Sequence, residues 1–214
     1  MKHSIISIFF VLSGYVALAQ VIKPDLQHLE NWQLVNREAE VINENKVKGV
    51  KLNARQNDGL MMLQDFQFSE GTIELDIKGK NVPQQSFVGV AFHVQDEETF
   101  DAIYFRPFNF MNADTARRWR AIQYISMPTY PWEKLRVEFP GKYENKVNPV
   151  PDPDKWFHVK IVVGKTQVRA YVNDSTTPSL EVTKLTGTQT GKIGLWVGNG
   201  SDGSFANLVI TPNK

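Results

Sequence analysis

Residues 87–124 read FVGVAFHVQDEETFDAIYFRPFNFMNADTARRWRAIQY and form the most strongly patterned segment of the chain. Val88, Val90, Phe92 and Val94 alternate with Phe87, Gly89, Ala91 and His93. Such alternation marks a strand, because successive side chains leave a pleated backbone on opposite faces. Ile103 and Phe105 alternate with Tyr104 and Arg106 in the same way, and Asp96-Glu97-Glu98-Thr99 supplies a polar turn between the two runs. The pair reads as a hairpin of core strands, with Val88, Val90, Phe92, Val94, Ile103 and Phe105 inward. The opposite face carries His93, Tyr104 and Arg106. Residues 113–120 read as a helical turn begun by Asp114 or Thr115, and residues 121–125 as a further strand.

The same period recurs on both sides of this hairpin. Upstream, Ile73, Leu75 and Ile77 alternate with Thr72, Glu74 and Asp76, and weaker runs surround Trp32, Val41, Val50 and Leu60. Downstream, Phe157, Val159, Ile161 and Val163 precede a Gly164-Lys165 turn and a return strand to Asn173. Short runs at Leu180, Ile193 and Phe205 follow, with an NGSDG turn at residues 199–203. Residues 127–154 hold six prolines, among them Pro128, Pro131 and Pro149, and read as a long irregular loop. No long amphipathic helix interrupts the pattern. Many short strands separated by turn signals predict an all-β protein, a sandwich of two antiparallel sheets.

The ends and the composition narrow the function. Residues 1–19 have a basic start, an apolar run and Ala17-Leu18-Ala19, the order of a secretory signal, leaving residues 20–214 as one domain. The expected location is secreted or periplasmic, with no integral membrane segment after cleavage. Lys and Arg number 24 and Asp and Glu 23. Loss of Lys2 with the leader brings the mature chain to balance, which argues against nucleic acid as a partner. The chain has no cysteine, so no disulfide, thiol nucleophile or thiolate metal site can form. His3, His28, His93 and His158 show no metal-binding spacing, and no metal is expected. Asn199 and Asp202 could offer oxygen ligands to calcium, but a tight turn accounts for them with less.

Three segments carry a family resemblance: FSEGTIELDI at 68–77, WFHVKIVV at 156–163 leading to VRAYVND at 168–174, and GKIGLW at 191–196 followed by FANL at 205–208. Together they resemble the concanavalin A-like lectin/glucanase superfamily, including laminin-G-type domains and the 3-keto-disaccharide hydrolase group. The resemblance implies a concanavalin A-like jelly roll over roughly residues 30–211. Laminarinase-type members place their carboxylates on one strand as Glu-x-Asp-x-(x)-Glu. Here Glu74 and Asp76 are followed by Lys78 and Gly79, so the second glutamate is missing and the pair reads as a polar strand face.

Sugar recognition needs flat apolar platforms and planar polar groups. His93, Tyr104, Arg106, Arg118, Gln123, Tyr124, Trp132 and Trp196 are the candidate ligand-binding residues, of which His93, Tyr104 and Arg106 converge if their sheet face is the concave one. Arg117, Arg118 and Arg120 around Trp119 suit an acidic sugar or internal pairing with Glu133 or Glu138. Glu144 is a possible acid. No catalytic set emerges. The expected partner is a carbohydrate, bound by an exported β-sandwich. The alternatives are a glycoside hydrolase-like enzyme of the 3-keto-disaccharide group and an envelope protein-interaction module.

Overall fold

The computed structural model describes residues 20–44 and 46–213. The expected leader at residues 1–19 lies outside them. The chain runs through β1 (Trp32–Val35), β2 (Ala39–Glu44), β3 (Val47–Leu52), β4 (Gly59–Leu63) and β5 (Gly71–Lys78). Then come β6 (Val88–Val94), β7 (Phe100–Phe105), α1 (Pro107–Phe110) and α2 (Thr115–Arg118). β8 (Ile122–Met127), α3 (Trp132–Glu138) and β9 (Glu144–Asn145) follow. The last third is β10 (Phe157–Val163), β11 (Gln167–Val172), β12 (Leu180–Thr183), β13 (Lys192–Val197) and β14 (Gly203–Pro212). Among the described residues no helix is long and apolar enough to cross a membrane.

These strands build two antiparallel sheets of seven, the jelly-roll sandwich of the concanavalin A-like proteins. The first has the order β1-β4-β13-β6-β7-β8-β9, the second β12-β11-β10-β5-β14-β3-β2. Period two places Ile73, Leu75 and Ile77 of β5 opposite Ile161, Val159 and Phe157 of β10, all buried. Their neighbours Glu74, Asp76, His158 and Lys160 are only half-buried and lie on the opposite side. His158 Nδ1 lies 2.8 Å from Asp76 Oδ1, so the incomplete Glu-x-Asp pattern is a paired outer face of the second sheet. Val88, Val90, Ile103 and Phe105 supply the core from the first sheet. The Phe105 and Phe157 rings meet edge to face at 5.2 Å across the sandwich. Burial of each such side chain is worth about 1.5–3 kcal/mol.

In the first sheet both faces of the central strands are covered. Every residue of β6 and β7 is buried, on both faces. The outer face is roofed by residues that follow β7 and β8, including α1 and α3. The irregular loop foreseen at 127–154 therefore contains α3, which enters after Pro131 and packs on β8, and the two-residue β9. A seven-residue helix has little stability of its own, so packing rather than local propensity forms it.

Candidate functional site

A single register row crosses all seven strands of the first sheet. Val35 pairs with Leu60, Leu60 with Trp196, and Trp196 with Gly89. Gly89 pairs with Tyr104, Tyr104 with Gln123, and Gln123 with Glu144. Directly paired residues share a face, so the row brings Trp196, Tyr104, Gln123 and Glu144 to one side of the sheet. Gly89 is the gap that lets the rings meet. A Cβ there would lie 2.2 Å from the Ile103 carbonyl oxygen and 2.5 Å from Tyr104 Cα. Over that gap Tyr104 and Trp196 approach to 4.8 Å between centroids.

Arg106 follows β7 and folds back over the row. Its guanidinium sits 4.8 Å above the Tyr104 ring and 5.8 Å from the Phe87 ring. Arg106 Nη2 donates to the Tyr104 hydroxyl at 2.6 Å and to Gln123 Oε1 at 3.3 Å, and Nη1 donates to the Arg120 carbonyl at 2.9 Å. Gln123 in turn donates to the Tyr124 and Tyr143 carbonyls. Because Tyr104 Oη accepts from Arg106, its own proton is free to be donated elsewhere. Burial pushes the Tyr104 phenol up to about 12, against the opposing pull of Arg106, so it stays protonated at neutral pH.

Beyond Gln123 the row ends at Glu144, which is buried among three arginines. Arg136 grips it with Nη2 at 2.7 Å and Nε at 3.2 Å. Arg106 and Arg120 each stand 3.9 Å away. Arg136 also stacks on the Trp132 ring at 4.6 Å. A carboxylate so surrounded is the counter-ion of the guanidinium groups around it.

At the other end stand Asp58 and Asn199, in the turns leading into β4 and out of β13. The Asn199 N–H donates to Asp58 Oδ1 at 3.1 Å. Burial raises the Asp58 carboxyl pKa, and this outweighs the Asn199 N–H and the nearby Arg37. Trp196 Nε1 lies beside this carboxyl but short of hydrogen-bond geometry, so a buried N–H is left without a partner. Asn199 Oδ1 accepts from the Asn57 N–H, and Asp202 sits against Lys80 and Lys51. Both residues of this turn are thus engaged within the protein. Among the described residues no three histidines or carboxylates converge as metal ligands.

These groups line a cleft of about 570 Å³, within the range of small-ligand pockets. Its floor is Tyr104, Trp196, Phe87, Ile125 and Met127, and its walls carry Asp58, Glu133, Arg106, Arg117, Arg120 and Arg136. Trp132 stands at the rim, partly exposed.

Of the residues singled out in the sequence, the structure brings Tyr104, Arg106, Trp132 and Trp196 to this cleft. Gln123 sits beneath it, buried behind Arg106. His93 does not reach it. β6 carries a bulge between Ala91 and Val94, and His93 adopts φ +52°, which breaks the period-two alternation there. The imidazole instead lies against Phe68 and Phe92, with Nε2 2.6 Å from the Ser69 carbonyl and Nδ1 3.6 Å from Asp101. Tyr124 is one residue out of phase with Gln123 and points between the sheets, donating to Asp101 Oδ1 at 3.0 Å. Burial raises its phenol pKa strongly, and Asp101 adds to the effect. Arg118 is exposed and outside the lining, while Arg117 and Arg120 flank the cleft. The pairing expected with Glu133 or Glu138 is made with Asp114 and Glu144 instead.

Sequence reasoning missed Asp58, Arg136 and Glu133 as cleft residues. Asp58 lies in the Asn57-Asp58-Gly59 turn signal, which foretold a turn but not which way the carboxylate faces. Arg136 and Glu133 lie on α3, whose one signal was Pro131 at its entrance.

A family model described as 3-keto-alpha-glucoside-1,2-lyase-like domain matches residues 25–211. Comparison with curated proteins gave no match. Among solved structures, the carbohydrate-binding module CBM66 of Bacillus subtilis superposes with a TM-score of 0.61 at 16% identity, covering 85% of this chain and 96% of that one. Bacillus licheniformis beta-glucanase gives 0.54 at 14% identity, covering 94% and 100%. The exoplasmic/lumenal domain of VIP36, in its Ca2+/Man3GlcNAc-bound form, gives 0.55 at 13% identity, covering 88% and 85%. Likeness at this level of identity establishes the shared fold.

Proposed function

The chain belongs to the 3-keto-alpha-glucoside-1,2-lyase-like domain family, and from that premise we propose that its cleft binds a saccharide and acts on a 3-keto-α-glucoside. The observation that carries the reading is the Tyr104–Arg106 pair, a hydroxyl on the floor of the cleft held at 2.6 Å by a buried guanidinium of its wall. A sugar ring lies with its C–H face on Trp196 and Tyr104, and its hydroxyls meet Asn109, Asn199 and Gln84 on the walls. The description of the family and the names of several fold neighbours concern saccharides, which supports this choice of ligand.

The 1,2-elimination follows from the same groups. A ketone at C3 acidifies the C2 proton. Asp58 removes that proton; its raised pKa makes it a stronger base than an ordinary carboxylate. Negative charge develops on the C3 oxygen, which accepts a hydrogen bond from the Tyr104 hydroxyl while Arg106 stands behind it, and the ketone is restored as the charge flows back. The electron pair of the C2–H bond then forms the C1–C2 double bond as the C1–O bond breaks. The leaving oxygen takes the proton that Asp58 acquired. The products are an unsaturated keto sugar and a free alcohol, with no water consumed.

Binding without turnover is the second reading, favoured because Arg106 and Glu144 are already engaged by protein groups. The basic, apolar and small-residue order of residues 1–19 supports export in either case.

Release of p-nitrophenol from p-nitrophenyl 3-keto-α-glucoside separates the two readings. Turnover by wild type, reduced about a hundredfold or more in both Tyr104→Phe and Asp58→Asn, is the expected result. Tight binding with no turnover selects the second reading, and neither binding nor turnover removes both.

A further inference from the structure

Four guanidinium groups line one end of the cleft, those of Arg106, Arg117, Arg120 and Arg136. Two of them are engaged within the protein. Arg136 holds Glu144 through two hydrogen bonds, and Arg106 donates to Tyr104, Gln123 and the Arg120 carbonyl. The other two differ. The Arg120 side chain is 45% exposed, and its nearest carboxylate is Glu144 at 3.9 Å. Arg117 is 58% exposed, with Asp114 at 3.7 Å. Neither side chain makes a hydrogen bond among the described residues. Lys146 adds a further cation nearby, 5.0 Å above the Trp119 ring. The whole chain carries a formal charge of only +1, so this positive concentration is local.

The placement of these two arginines follows from the backbone. Asp114 caps α2 by accepting from the Ala116 N–H at 2.8 Å, and the Arg120 N–H donates to the Arg117 carbonyl at 2.9 Å. Residues three apart on such a turn lie on one side, which aims Arg117 and Arg120 into the cleft and leaves Arg118 outside. Planar guanidinium forks pair in parallel with the oxygens of a carboxylate, sulfate or phosphate. The aromatic floor lies beside them, so a ring stacked on Tyr104 and Trp196 brings its substituent to their reach.

We infer that Arg117 and Arg120 form a subsite for an anionic group carried by the saccharide on the part joined to the stacked ring. The inference rests on the saccharide reading above and narrows it to acidic ligands. The anion completes a cluster in which Glu144 is the single buried carboxylate among several guanidinium groups.

The test titrates the intact protein with phenyl α-glucoside and with its 4-carboxylate, 4-sulfate and 4-phosphate derivatives, following the fluorescence of the cleft tryptophans. At low salt the charged derivatives are expected to bind about tenfold tighter than the neutral one. The tightest of the three identifies the anion. The advantage shrinks as salt screens the exposed arginines. The Arg117→Gln/Arg120→Gln double variant loses the preference while binding phenyl α-glucoside within about twofold of wild type. Equal affinities in wild type, or a preference that survives in the double variant, overturn the subsite. Binding of phenyl α-glucoside without anion preference overturns it alone, whereas failure to bind any of the four or p-nitrophenyl 3-keto-α-glucoside overturns it together with the saccharide reading.

Discussion

Arg37 Nη2 donates to the Gly198 carbonyl at 3.0 Å and to the Asn57 carbonyl at 2.7 Å, joining the two turns that carry Asn199 and Asp58. Nη1 donates to the Asn36 carbonyl at 2.6 Å, and the side chain is buried. Its methylenes and guanidinium pack against Gly59, where a Cβ would lie 2.4 Å from Arg37 Cγ. Burial lowers the guanidinium pKa, and the charge of Asp58 works against that change. One buried cation thus sets the acidic wall of the cleft without lining it.

Arg37→Met is expected to cost about 2–4 kcal/mol, because several carbonyls lose a charged donor in a site with little water. Arg37→Lys recovers only part of the loss, since an ammonium group cannot fork between separated carbonyls. Urea unfolding of the three proteins measures this. A loss below about 1 kcal/mol for the methionine variant shows that water replaces the guanidinium.

Gly89→Ala tests the floor. The added carbon meets backbone atoms of β7, which cannot swing aside as the end of a flexible side chain could. The expected loss exceeds about 2 kcal/mol, with weakened ligand binding because Tyr104 and Trp196 are pushed apart. Denaturant unfolding and near-ultraviolet circular dichroism of the aromatic rings report the two effects separately.

Asp58→Asn tests the carboxyl held above its ordinary pKa of 3.8. The folded state binds that proton more tightly than the unfolded chain does. Ionisation therefore costs stability as pH rises from the unfolded pKa through the folded one. The asparagine variant is expected to melt higher than wild type above that window and to lose its advantage below about pH 3.8. Thermal melts across acid and neutral pH measure it. A variant less stable at pH 7 shows that the pull of Asn199 and Arg37 outweighs burial.

Tyr124→Phe separates the inter-sheet polar cluster from the cleft. The Tyr124 hydroxyl donates to Asp101 and accepts from the Leu185 N–H, both on the side away from the ligand. A stability loss of about 1–3 kcal/mol is expected, with saccharide affinity unchanged. A clear loss of affinity at unchanged stability puts Tyr124 back among the ligand contacts.

The strands were legible because burial imposes a period that survives in the sequence, as at Ile73, Leu75 and Ile77. The same logic placed Tyr104 and Trp196 together on the face opposite the core. It failed at His93 because one extra residue in a bulge reverses every later inference of facing, and nothing in Ala91-Phe92-His93-Val94 announces the bulge. It fails at Tyr124 because Gln123 and Tyr124 are neighbours on one strand and point opposite ways, so only one of them can face the cleft. The walls were harder still. Arg136, Glu133 and Asp58 reach the cleft through turns and a short helix whose positions depend on distant packing, here on β8 and on Arg37.

The cleft draws its floor and its walls from different parts of the architecture. Every floor residue except Phe87 sits on a strand, in a register that the whole sheet enforces. Much of the wall comes from the two stretches that flank β8, residues 107–121 and 128–143, together with two turns. Exchange or drift within those stretches can therefore alter which ligand is accepted while the hydrogen-bonded lattice below them is untouched. Such a division lets the lining of the cleft change at little risk to folding, on a fold that this chain shares at 13–16% identity with the solved structures above.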